Sequence, residues 1–379
     1  MRKEKIMENT LRHKILRSVN EISRAEWSDV FGDIPEGYDF FRTVEESGLE
    51  GFDFFYVLVY KGSLIRAIAP LFISDFNLDI AVEGRLQQLI QGIRRAFPRF
   101  LISKTLFCGS PFGENGILGI RKESADVEAV MLELLNGMRQ VCAKNRISLA
   151  MFKDFTSDSS KLLDLVCREG FFMVESFPSV TNKLDFATLD DYQASLSHNT
   201  RKDLRRKLKK AQAAGTIEVK IVNNVEDCID EVYKLYINTY NAGNVKFEKL
   251  TKEFFINVGR NLAGEARFFL YYLNGKLASF NLCFLHKDTL IDKFIGFDYD
   301  VAYKYNLYFF SWCYNVEWCL KNSVLYYQVG QTDYHPKLKL GGRLVPLLAY
   351  IKHSNPLINA LLKMLAKALT PDNFDENIK

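Results

Sequence analysis

Asp333-Tyr334-His335-Pro336-Lys337 places a carboxylate, a phenol, an imidazole and an ammonium in one short stretch. A phenol with a pKa of about 10 can return a proton to a departing anion. Asp333 and His335 flank it and can take a proton from an ammonium, directly or through water. Lys337 can balance negative charge that develops nearby. The same run also reads as a polar turn, since Asp and Pro are frequent in turns.

Upstream, Arg201-Lys202-Asp203-Leu204-Arg205-Arg206-Lys207-Leu208-Lys209-Lys210 holds seven bases and one acid. That is +6 in a chain whose net charge is +4, so the remainder carries −2 and the basicity is one local patch. Thr200 suits an N-cap, Asp203 falls in the first turn, and Leu204, Leu208 and Ala211 recur at i, i+4 and i+7. The spacing predicts a helix with one apolar stripe beneath a cationic surface, with Arg201 and Arg205 able to hold phosphates. A solvated helix face, a small anionic ligand and an RNA contact all fit it. Aromatic residues are not interleaved with the bases, so stacking on single strands is unsupported, and one basic patch argues against a protein that coats DNA. A third candidate is Lys304-Tyr305-Asn306-Leu307, near the start of a helix that follows an apolar strand. A helix start offers N–H groups and a positive dipole end to a pyrophosphate. Tyr303, Tyr305, Tyr308 and Phe309 equally suit the aromatic face of a core helix.

Other chemistries are poorly supported. Gly109-Ser110-Pro111-Phe112-Gly113 departs from the Gly-x-Ser-x-Gly elbow, so Gly109 to Gly119 reads as a loop. Seven cysteines, an odd number without a C-x-x-C pair, read as reduced core residues. The five histidines include no i, i+4 pair, and no metal is expected.

These groups need a scaffold, and the pattern of strands and helices supplies one. Phe54 to Tyr60, Lys61-Gly62-Ser63 and Leu64 to Ile73 read as a hairpin. Phe268 to Leu273, Asn274-Gly275-Lys276 and Leu277 to Leu285 repeat it about 210 residues later. Around the second hairpin the periodicity predicts strands at 217–222, 289–297 and 324–329 and helices near 225–241, 250–262 and 302–321. Around the first it predicts strands near 100–107, 147–153 and 171–186 and helices near 124–145 and 158–169. The fold class is α/β, with two copies of one mixed α/β unit.

Size and composition agree. The 379 residues exceed one ordinary core, and 48% apolar residues with 30 Phe and 18 Tyr rule out disorder. Met1 to Ile6 leads into polar sequence without an apolar segment of signal-peptide length, so a cytoplasmic location is expected. Pro356 to Leu369 predicts an amphipathic helix that docks on the protein or, alternatively, on a membrane surface or partner helix, and 370–379 reads as a tail.

The order of strand, two helices, long hairpin, central strand, helix and strand resembles the GNAT N-acyltransferase fold. Leu196 to Lys210 resembles the segment that opens the C-terminal unit of FemAB-like transferases. Gly296-Phe297-Asp298-Tyr299-Asp300-Val301-Ala302-Tyr303 is similar to their strand-to-helix passage, and Gly330 to Gly342 to their closing motif. The resemblance spans roughly 190 to 345 and reaches the first half only by pattern. Two departures stand out: Lys304-Tyr305-Asn306-Leu307 replaces the usual glycine, and the closing motif is one or two residues longer between Gly330 and Lys337.

The resemblance implies tandem GNAT-like domains: 1–188, then 189–355 carrying the transferase site, then a C-terminal helix and tail at 356–379. It implies an N-acyltransferase that moves an acyl group from acyl-CoA, acetyl-CoA among the candidates, to a small-molecule or cell-wall-precursor amine received between the units. Tyr334, Asp333, His335 and Lys337 would be catalytic, and Lys304, Tyr305, Asn306, Leu307, Arg201 and Arg205 would bind the donor. Two alternatives stay open: an aminoacyl-tRNA-dependent transferase of peptidoglycan-bridge type, with tRNA as partner, and an inert GNAT-like binding module.

Overall fold

The computed structural model describes residues 10–78, 84–113, 115–121, 126–243 and 248–366. The chain divides into two compact units. One comprises Met1–Glu45, Glu50–Phe177 and Pro346–Lys379, the other Glu46–Leu49 and Pro178–Val345.

The first unit is a mixed sheet built from β1 (Leu11–Leu16), β2 (Asp53–Lys61), β3 (Leu64–Asn77), β4 (Ile102–Cys108), the short β5 (Gly119–Ile120), β6 (Leu149–Thr156) and the opening half of β7 (Phe172–Lys183). Phe55 to Val59 are all buried, because β2 is covered on both faces and needs an unbroken apolar run rather than alternation. β4 and β6 run parallel, and the helix Val127–Asn145 carries the chain between them. That helix buries Val130, Met131, Leu134, Leu135, Met138 and Val141 in a core with Val57, Val59 and Leu106.

The second unit runs in the order β7 (its last six residues), β12, β11, β10, β9, β8. These are β8 (Ile217–Val222), β9 (Ala266–Leu273), β10 (Lys276–His286), β11 (Thr289–Phe297) and β12 (Tyr326–Gln328). Asn274 (φ 51°) and Gly275 (φ 80°) both adopt the left-handed conformation that the two-residue turn between β9 and β10 requires. Helices Ile229–Ala242 and Lys252–Asn261 cover one face, where Phe255 packs edge-on against Phe280 and Phe254 against Phe294. Helix Leu307–Lys321 covers the other, where Tyr271 meets Phe310 and Tyr314, and Phe269 meets Trp318.

Three differences from the sequence reading matter. The helix expected over 302–321 is two helices, Tyr299–Tyr305 and Leu307–Lys321, broken where Asn306 turns left-handed (φ 54°, ψ 41°). Asn is among the few non-glycine residues that tolerate this conformation. Arg343–His353 forms an additional strand, β13, whose Leu347–His353 pair antiparallel with β6 in the first unit. The final helix spans Pro356–Ala366, and the remainder of the expected helix and tail lies outside the described residues. No helix among the described residues is long and apolar enough to cross a membrane.

Candidate functional site

In the second unit β11 and β12 form a parallel pair, whose register covers Thr289↔Tyr326, Leu290↔Tyr327 and Ile291↔Gln328. β11 continues to Phe297, while the chain leaves β12 through Val329 and Gly330. The residue that follows the last β11 pair is Asp292. Its direction is set by a bulge: Leu282 faces Phe294 but Cys283 faces Asp292, so Lys293 is an extra residue in β11. The inserted residue reverses the alternation and turns Asp292 away from the face of Phe294, toward Asn281, Cys283 and helix Leu307–Lys321.

There Asp292 enters a polar network. The Tyr327 hydroxyl donates to its Oδ2 at 2.6 Å and the Asn281 amide at 2.7 Å. Asn315, fully buried on helix Leu307–Lys321, donates to the Tyr327 hydroxyl at 3.0 Å and accepts from Tyr271. Loss of hydration raises the proton affinity of Asp292, against the opposing pull of Tyr327, Asn281, the Lys337 ammonium and Cys283. Burial likewise pushes the phenols of Tyr327 and Tyr271 well above the ordinary tyrosine range. Among the described residues, four buried side-chain polar atoms of this unit have no hydrogen-bond partner: Ser279 Oγ, Asn281 Oδ1, the Tyr308 hydroxyl and Gln331 Nε2. Tyr308 lies within electrostatic reach of Asp292, Asp333 and Tyr192, and burial raises its pKa far above the ordinary value. A partly buried carboxylate of raised basicity beside a protonated phenol can accept a proton at one point and donate a hydrogen bond at another.

Beside this network, helix Leu307–Lys321 begins at Asn306, whose side chain makes no cap hydrogen bond. A start without a side-chain cap leaves first-turn N–H groups and the positive dipole end to an anion. The basic helix His198–Gln212 packs on the same helix, with Lys207 Nζ 3.5 Å from the centre of the Phe309 ring. Asp203 pairs with Arg206 at 2.6 Å and Lys207 at 2.8 Å, and Arg201 donates to the Ala194 carbonyl at 2.8 Å. Lys202, Arg205, Lys209 and Lys210 stand exposed. A hollow of about 850 Å³ runs along the outer side of this helix past Arg201, Lys202, Arg205 and Lys209.

The residues singled out in the sequence fall in different settings. Tyr334 opens the short helix Tyr334–Lys339, is 2% exposed, and donates its hydroxyl to the Pro178 carbonyl at 2.9 Å. Lys337 is also buried and donates to the Val329 carbonyl. Asp333, left-handed at φ 51°, and His335 are exposed beside them. Gly342 closes this segment against β7, where a Cβ would lie 2.5 Å from Val180 Cγ1 and 2.9 Å from the Lys337 carbonyl oxygen. Leu307 is buried, Tyr305 half-buried, and Lys304 exposed with its ammonium 5.1 Å from the Tyr305 ring centre. The sequence reading passed over Asp292 and Tyr327 and took Tyr308 only as part of an aromatic core face. An acid inside the apolar run Leu290-Ile291-Asp292-Lys293-Phe294 was the available signal.

Residues 198–338 match the family model described as the acetyltransferase (GNAT) domain. A Mycobacterium tuberculosis protein that bears the provisional name 8-amino-7-oxononanoate synthase 2 is 25% identical over 354 residues, which are 90% of this chain and 46% of that protein. The chain thus spans about half the length of the curated relative it matches. Among solved structures, FemX is similar with a TM-score of 0.54 at 11% identity, covering 92% of this chain and 100% of that one. A tandem GNAT protein from the clavulanic acid biosynthesis pathway is similar with a TM-score of 0.51 at 10% identity, covering 92% and 99%.

Proposed function

We propose that this chain, a GNAT-type acyltransferase of FemAB-like, tandem fold, moves an acyl group from acyl-CoA to an amine by direct attack through a tetrahedral intermediate. The observation that carries this reading is a convergence in the second unit. The bulge-turned Asp292, the Asn306 start of helix Leu307–Lys321 and the basic helix His198–Gln212 all meet around that helix.

In this reading the donor's phosphates lie between the helix start at Asn306–Leu307 and the cations Lys304, Arg201 and Arg205. The acceptor arrives as an ammonium, Asp292 takes one proton from it, and the lone pair thus freed attacks the acyl carbonyl carbon, the CoA thiolate leaving as the intermediate collapses. A raised proton affinity makes that carboxylate a stronger base than an exposed one. The Tyr308 hydroxyl donates to the developing oxyanion or to the leaving thiolate. Tyr334 and Lys337 anchor the closing segment through Pro178 and Val329, and the Lys337 ammonium favours the ionised form of Asp292. Asp333 and His335 stand where an acceptor would enter. The acceptor is a small-molecule or cell-wall-precursor amine.

The exposed bases of the basic helix favour a second reading, with aminoacyl-tRNA as donor. Thermal unfolding with CoA, acetyl-CoA, ADP and bulk tRNA separates the two. A ligand at 100 times its Kd adds about 2.7 kcal/mol, and each kcal/mol moves the midpoint by roughly 2–4 °C. A shift with CoA beyond that with ADP supports acyl-CoA. A salt-sensitive shift with tRNA alone moves the assignment to aminoacyl transfer, and no shift with any of them overturns both.

A further inference from the structure

The register of the first unit gathers several chain ends at one end of its sheet. Asn77 of β3 pairs with Ile102 of β4, Thr105 of β4 with Leu149 of β6, and Leu149 with His353 of β13. From this end leave two segments: the helix Gly84–Ala96 with the stretch to Phe100, between β3 and β4, and the helix Pro356–Ala366, after β13. With neighbouring strands about 4.8 Å apart and a three-residue stagger of about 10 Å along β4, their roots are roughly 14–18 Å from each other.

Both segments turn apolar side chains outward. On the final helix, Leu357 is 80% exposed, Leu361 50% and Met364 65%, with Ile358 and Leu365 completing the stripe at i, i+1, i+4, i+7 and i+8. The side of lower exposure carries Asn359, Leu362 and Ala366, and Asn359 accepts from the His353 backbone N–H at 2.8 Å and donates to the Gly170 carbonyl at 3.0 Å. The broad apolar stripe is thus left outside the core that an amphipathic helix ordinarily covers. On the other segment Phe97 is 69% exposed and Leu89 59%, with Phe100 beside them. Single exposed apolar residues need no explanation, but two such groups at one end of one sheet do.

The charges around them identify the occupant. Arg95, Arg99, Lys144, Arg146 and Lys363 are exposed at this end, Lys144 in the last turn of helix Val127–Asn145 and Arg146 in the turn that leads on to β6. The acids Asp75 and Glu169 are paired with Arg99 and Arg139. Cations beside exposed Phe, Leu and Met side chains on two separate segments match an interface in which apolar groups enter the acyl boundary and bases meet phosphate headgroups. We infer that this end of the first unit docks on the surface of an anionic phospholipid bilayer. The inference is independent of the transfer chemistry, because it uses no residue of the second unit.

The test is co-sedimentation of the full chain with phosphatidylcholine vesicles, with and without phosphatidylglycerol. The expected result is binding to the phosphatidylglycerol vesicles alone, weakening as salt rises. Leu361→Glu with Met364→Glu, and separately Arg95→Glu with Arg146→Glu, should each reduce binding by at least about tenfold. All four positions are exposed, so thermal unfolding of the variants should match the parent. Absence of parent binding, or unchanged binding by folded variants, would overturn the inference. So would a concentration-dependent dimer in analytical ultracentrifugation that Leu361→Glu with Met364→Glu dissolves, since the stripe would then be covered by a second copy.

Discussion

The Tyr327 hydroxyl donates to the Asp292 carboxylate at 2.6 Å, joining the middle residue of β12 to the point where β11 continues past the end of their pairing. This pair fixes the direction of a carboxylate whose loss of hydration raises its proton affinity. The proposed chemistry depends on that carboxylate being ionised when the acceptor arrives, which makes its titration open to experiment.

Asp292→Asn should lower kcat by about 10²–10⁴-fold, the usual contribution of a general base, while leaving the donor KM little changed. In the parent, kcat should rise with pH as Asp292 ionises, and the variant should lose that limb. Stability follows the opposite sign. A carboxyl with a raised folded-state pKa contributes stability in full below its unfolded value, and loses it as pH climbs through the folded one. Unfolding measured across this range should show a decline in the parent that is absent in Asp292→Asn.

Lys337→Met should move the rising limb of the pH–rate profile to higher pH, because the ammonium at present favours ionised Asp292. An unmoved limb would remove Lys337 from the electrostatics of the site.

Tyr334→Phe removes the donor to the Pro178 carbonyl and should cost about 1 kcal/mol in thermal unfolding. If the phenol only anchors the closing segment, turnover per folded molecule should fall much less than in Asp292→Asn.

Asn306→Gly should be close to neutral in stability, since glycine occupies the left-handed region freely. Asn306→Val should lose about 1–3 kcal/mol at the same position, because a β-branched side chain is strained there. Midpoints from thermal unfolding decide between the two outcomes.

What was legible in the sequence had local causes. Alternation over 217–222 and the apolar run over 289–297 gave both strands with their bounds, and Asn274-Gly275 gave the hairpin turn. The helix break at Asn306 was hidden because asparagine, unlike glycine, is a weak marker of a left-handed residue. The facing of Asp292 was hidden for a different reason. The extra residue Lys293 shows only in the pairing of β11 with β10, so simple alternation places Asp292 on the side of Phe294. β13 lay outside the predicted strands, since its pairing with β6 joins residues nearly 200 positions apart.

The central claim is that the second unit binds an acyl-CoA donor through the basic helix beside Asn306. Calorimetric titration of acetyl-CoA into the parent and into Arg201→Glu with Arg205→Glu tests it most directly. The account predicts saturable binding that weakens with salt and falls at least about tenfold in the variant, each charge-assisted contact to phosphate contributing roughly 1.5–3 kcal/mol. Absence of binding to the parent, or equal binding to the folded variant, would contradict it.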